Sequence, residues 1–113
     1  MKKAFAAVCL MPLVAACAPP PPANPAEQAA RAGAAYEYAA RNCGGMPGGF
    51  KDVVAMRDQS VARYALAREL GASEEVIAAQ KQIVANTVSG AVVLIGQVEA
   101  CRALISEAAW NAT

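Results

Sequence analysis

The sequence predicts an all-α fold: a small three-helix up-down-up bundle closed by one disulfide. Three observations carry this. Apolar residues recur at the 3, 4 spacing of a helix face through three stretches, helix caps and glycine breakers punctuate them, and no pair of strand-like runs is available to form a sheet.

Asn24 caps the first helix and Pro25 takes its opening position, where the missing amide costs nothing. Glu27 with Arg31 and Glu37 with Arg41 form i, i+4 pairs in the favourable order. The helix is expected to run to Cys43, with Ala29, Gly33, Tyr36, Ala40 and Cys43 on its inward face. The run Gly44-Gly45-Met46-Pro47-Gly48-Gly49 ends it. That run lacks the Lys and Ser/Thr of a P-loop and no strand precedes it, so it reads as a helix connection rather than an anion cradle.

A second helix is expected from Phe50 to Leu70, stopped by Gly71, with Phe50, Val53, Val54, Val61, Tyr64 and Ala65 on its apolar stripe. Arg57 and Arg68 fall within that stripe around Tyr64. The three residues are a candidate contact for an acidic partner, because a guanidinium recognises carboxylates in bidentate fashion. The opposing reading has the arginine stems covering the core edge while their heads reach water or a glutamate of a neighbouring helix.

Ser73 caps a third helix, with Glu74 and Glu75 in its first turn where the helix dipole favours negative charge. It is expected to reach Ala109 on a stripe of Val76, Ile83, Thr87, Leu94, Val98, Cys101 and Ile105. Val88 to Gly96 is rich in β-branched residues and strand-like on its own, but the helical period continues on both sides of it; read as an amphipathic membrane insert, it is too short and lacks flanking basic residues. As helix, it points Val92 and Val93 away from the stripe toward another helix or a second subunit, with Gly90 and Gly96 allowing close approach. Trp110, near the chain end, is a further candidate partner contact, since tryptophan is enriched among binding hot spots. The opposing reading folds it over Met46 and Pro47.

Composition bounds the chemistry. The 113 residues suit one domain, and much of the apolar content is alanine, so the core should be thin. Removing Lys2 and Lys3 from the ten basic residues leaves eight against nine acidic ones, a net charge of −1 that offers no footprint for nucleic acid. Histidine is absent, which removes the commonest metal ligand and the commonest neutral-pH base. No metal and no cofactor is expected. Glu37, Glu69, Glu99 and Glu107 read as solvated helix-face charges rather than catalytic acids.

The N-terminus reads as an address. Lys2 and Lys3 precede the uncharged run Ala4 to Val14, the pattern of a secretory signal. That run is about half the roughly 20 residues needed to span a bilayer, and it contains Pro12. It ends in Leu13-Val14-Ala15-Ala16-Cys17, an aliphatic residue three before a cysteine with small residues between. This resembles the lipobox of bacterial lipoprotein precursors. The resemblance covers the first 17 residues only. It implies that residues 1–16 are a signal peptide, that the Cys17 thiol receives a diacylglyceryl group, and that the new amine is often acylated as well. Ala18, rather than aspartate, after the cysteine implies the outer membrane, with the domain lipid-anchored on its periplasmic face. Residues 17–25, with Pro19 to Pro22 and Pro25, read as the lipidated cysteine and a stiff polyproline spacer that holds the domain, residues 26–113, off the membrane.

Once Cys9 leaves with the signal peptide and Cys17 is lipidated, Cys43 and Cys101 remain. An even remainder in an exported protein is usually a disulfide. In an up-down-up bundle the two also fall at similar heights on inward stripes. There is no Cys-x-x-Cys spacing for a redox or zinc role.

The functional expectation is a non-catalytic, lipid-anchored envelope domain that binds or scaffolds another envelope protein or a second copy of itself. The alternative is a protective lipoprotein of the entry-exclusion, immunity or inhibitor type, a likeness of size, anchor and cysteine content alone. A small-ligand carrier would need an apolar cavity of several hundred Å³ between helices.

Overall fold

The computed structural model describes residues 19–44 and 53–111, with side chains as far as Leu104. Four helices and no strand are present among these residues: α1 (Pro25–Asn42), α2 (Val53–Glu69), α3 (Glu74–Ile95) and α4 (Gln97–Asn111). The expected third helix is therefore two, α3 and α4, separated at Gly96.

Helix α1 starts where the sequence places it. The Asn24 Oδ1 accepts from the Glu27 amide at 2.9 Å, and the Glu27 carboxylate reaches back to accept from the Ala23 amide at 2.7 Å. Two of the orphan amides at the helix start are thereby satisfied. Nine of the eighteen α1 residues are buried, eight of them alanine and the ninth Gly33. They lie around most of the helix circumference rather than along one stripe, and α1 packs against α2, α3 and α4. Methyl-sized side chains let three neighbours approach one backbone. That is how a chain so rich in alanine still builds a core.

Helix α2 turns inward a face that only partly coincides with the expected stripe. Tyr64 is buried and Val53 packs against the core, but Val54 and Val61 are 65% and 69% exposed and Ala65 is exposed too, while Met56, Ser60 and Ala67 are buried instead. The reason is local. The Ser60 Oγ donates to the Gly33 carbonyl at 2.9 Å, so a residue that counts as polar in a hydropathy pattern sits in the α1–α2 seam with its hydroxyl satisfied. The helix ends in a Schellman arrangement: the Ala72 amide donates to the Ala67 carbonyl, the Gly71 amide to that of Arg68, and Gly71 takes φ +101°.

The Ser73 Oγ caps α3, accepting from the Val76 amide at 3.2 Å. The buried residues Ile77, Gln80, Val84 and Val88 lie one position round from the expected Val76, Ile83 and Thr87, which are half-buried. Residues 88–95 are helical, which resolves the strand-like stretch. At Gly96 the backbone takes φ +85°, a conformation that costs a residue with a Cβ but not glycine, and α4 starts on a new phase. Of the residues expected inward, Leu94 lies off the buried stripe of α3 and is 71% exposed, and Val98, on the new phase, is 38% exposed, while Ala100, Cys101 and Leu104 are buried. No atom of another segment lies within 4 Å of a methyl built at Gly90 or Gly96, so neither glycine serves a close helix approach among the described residues.

Candidate functional site

The cysteine pair is formed. Cys43, which caps the C-terminal end of α1, and Cys101 on α4 are joined by a disulfide with Cα atoms 5.8 Å apart, and both are fully buried. The Gln97 Nε2 donates to the Asn42 carbonyl at 3.2 Å beside it. The end of α1 and the start of α4 are thus held by one covalent and one polar link.

A polar cluster occupies the opposite side of α1. Glu37 lies 3.6 Å from Arg41 and 3.7 Å from Lys81 of α3, and the Lys81 Nζ stands 4.9 Å from the centroid of the Tyr64 ring. Tyr64 joins α2 to this group and packs on Gly33, where a Cβ would come within 2.8 Å of its ring. Its hydroxyl is buried without a hydrogen-bond partner. Burial, reinforced by the neighbouring Glu37 carboxylate, holds that hydroxyl well above the ordinary tyrosine range. An open cleft of about 510 Å³ lies over the cluster, lined by Glu37, Arg41, Lys81 and Gln82 among others. Arg41 and Lys81 share the single carboxylate of Glu37, which leaves one net positive charge in an open, solvent-exposed cleft. The sequence showed the Glu37 and Arg41 pair but not Lys81 or Tyr64, which arrive from other helices.

Of the other residues singled out in sequence, Arg57 and Arg68 are exposed and Tyr64 is buried, so Tyr64 does not stand between them on the surface. The Arg68 Nε donates to Glu74 at 2.6 Å, a bidentate pair that bridges α2 and α3 and lowers the Glu74 carboxyl below its usual range. That is the glutamate pairing the opposing reading expected. Trp110 lies on α4, but its side chain is outside the described set, as are residues 1–18, Cys17 among them, and residues 45–52. No group of three acidic, cysteine or histidine side chains that could hold a metal ion occurs among the described residues.

Two apolar surfaces remain. One is the outer face of α2, with Val54 and Val61 exposed and Arg57 between them. The other is the corner between α3 and α4, where Val93, Leu94 and Ile95 are 85%, 71% and 53% exposed. A third feature is an apolar cleft among α1, α3 and α4, lined by Ala35, Val84, Val88, Ala100 and Leu104 and bordered by Pro19. At about 90 Å³ it is far smaller than the roughly 300–1,000 Å³ of a small-molecule pocket. The proline segment reaches it by folding back on the domain: the Arg31 guanidinium donates to the Pro20 carbonyl and, through Nε, to Gln80 of α3 at 2.8 Å. Residues 19–20 of the proline segment thus lie against the helical domain.

No family model, curated protein or solved structure matches the chain.

Proposed function

We propose that this chain is a bacterial lipoprotein of the outer membrane, anchored through acylated Cys17, whose helical domain works by binding rather than catalysis. The observation that carries the binding role is the outer face of α2. Val54 and Val61 lie seven residues apart on one side of a helix whose other side is packed on α1, and both are mostly exposed. Two valines with an arginine between them form a short amphipathic stripe that a partner helix can cover, and Arg57 offers a charge for a carboxylate beside it. Such a stripe is suited to another envelope protein or to a second copy of this chain. The disulfide supports an exported location, because such bonds persist in oxidising compartments.

Photo-crosslinking in the intact envelope tests the reading. A crosslinker at position 61 should give one discrete adduct, either a homodimer or a single heterologous protein. One at the exposed Glu75 of α3 should give none. No adduct from position 61 in protein of normal abundance would refute the binding role of this face.

A further inference from the structure

We propose that the apolar corner between α3 and α4 is a membrane-contact surface, pressed into the lipid interface beside the acyl anchor. The inference rests on the lipoprotein reading and adds to it an orientation of the domain. Its first support is the composition of the corner. From Val88 to Val98 there is no charged residue, and Val93, Leu94, Ile95 and Val98 turn outward. Its second is position. Gly96, at positive φ, ends α3, and Val93, Leu94 and Ile95 in its last turn stand mostly exposed to solvent. No described helix is long and apolar enough to cross a membrane, so the contact is interfacial.

The third support names the occupant. Folding back along α1 brings Pro19 to the cleft bordered by Ala91 of α3 and Ala100 of α4. Both residues lie within a few positions of the corner. Cys17 is two residues upstream of Pro19, and two extended residues span at most about 7 Å. The acyl chains on Cys17 are therefore tethered within about 7 Å of Pro19, beside a cleft that extends to Ala91 and Ala100.

The test uses the full-length protein, produced in bacteria and purified in its mature form. Trp110→Phe first removes the only native tryptophan, and a reporter is then placed by Leu94→Trp or, as a control on the outer face of α2, by Val54→Trp. Each protein is reconstituted into phosphatidylethanolamine and phosphatidylglycerol vesicles with brominated acyl chains, after labelled palmitate has shown whether the chain is acylated. The proposal expects fluorescence from position 94 to be quenched severalfold more strongly than from position 54, as an interfacial depth of about 5–10 Å requires. Equal, weak quenching at both positions in acylated, vesicle-bound protein would overturn the orientation while leaving the anchor intact. Blue-shifted emission from position 94 without quenching, together with a dimer on crosslinking, would overturn it in favour of a second copy. Absence of label would refute the anchor itself, and the orientation with it.

Discussion

Gly33 of α1 and Tyr64 of α2 meet so closely that a methyl at position 33 would sit 2.8 Å from the tyrosine Cδ1. The glycine is thus required by its neighbour's ring and not by backbone conformation. Gly33→Ala forces the ring or the α1–α2 spacing to give, at a cost of about 1–3 kcal/mol for overpacking, against roughly 1 kcal/mol of helix propensity regained. The expected outcome is a modestly lower urea midpoint with an unchanged slope. A midpoint equal to or above that of the unsubstituted protein would show that the ring swings aside freely.

Tyr64 carries a second prediction because its hydroxyl is buried and unpartnered. Tyr64→Phe removes a polar atom that makes no bond, so melting near pH 7 should be unchanged or slightly raised. At high pH the two proteins should diverge. The folded chain holds the hydroxyl above its ordinary value of 10.0 through burial and the nearby Glu37 carboxylate. Below that value both folded and unfolded chains are protonated, and stability is complete. As pH rises past it the unfolded chain ionises first, so stability falls toward the folded value. Thermal melts at neutral pH and at about pH 11 should show a smaller alkaline loss for the phenylalanine variant. An identical loss would mean that Tyr64 ionises as readily folded as unfolded.

Reduction of Cys43–Cys101 should be costly. The two cysteines are 58 residues apart, and chain entropy gives about 4 kcal/mol of stabilisation for a loop of that length. That is a large part of the 5–15 kcal/mol available to an ordinary domain. Far-ultraviolet circular dichroism with and without reductant should show a large fall in Tm. A shift of only a degree or two would mean that alanine packing around α1 holds the fold unaided.

The helices, their caps and the disulfide were legible in the sequence because each rests on local chemistry. Asn24, Ser73 and Gly71 act within a few residues of themselves, and the cysteine pairing followed from elimination. The inward faces of α2 and α3 were less legible. Valine counts as apolar wherever it stands, so Val54 and Val61 draw the stripe toward themselves, whereas Ser60 and Gln80, buried in the fold, are polar by type and give a hydropathy pattern no signal. Their partners, the Gly33 carbonyl and Arg31, lie on another helix and are invisible to periodicity. Gly96 looked like a site of helix contact because no sequence rule distinguishes a helix-interior glycine from one that ends a helix at positive φ. The Glu37, Lys81 and Tyr64 cluster draws on three helices and could not be assembled before their packing was known.

The proposed lipid anchor on Cys17 is tested most directly by the intact mass of the mature protein. The expected chain begins at Cys17 and is heavier than its peptide by a diacylglyceryl group, with or without a further acyl chain. Cys17→Ser should leave residues 1–16 attached and add no lipid. A mature chain that begins at another residue, or one that begins at Cys17 with no added mass, would contradict the anchor.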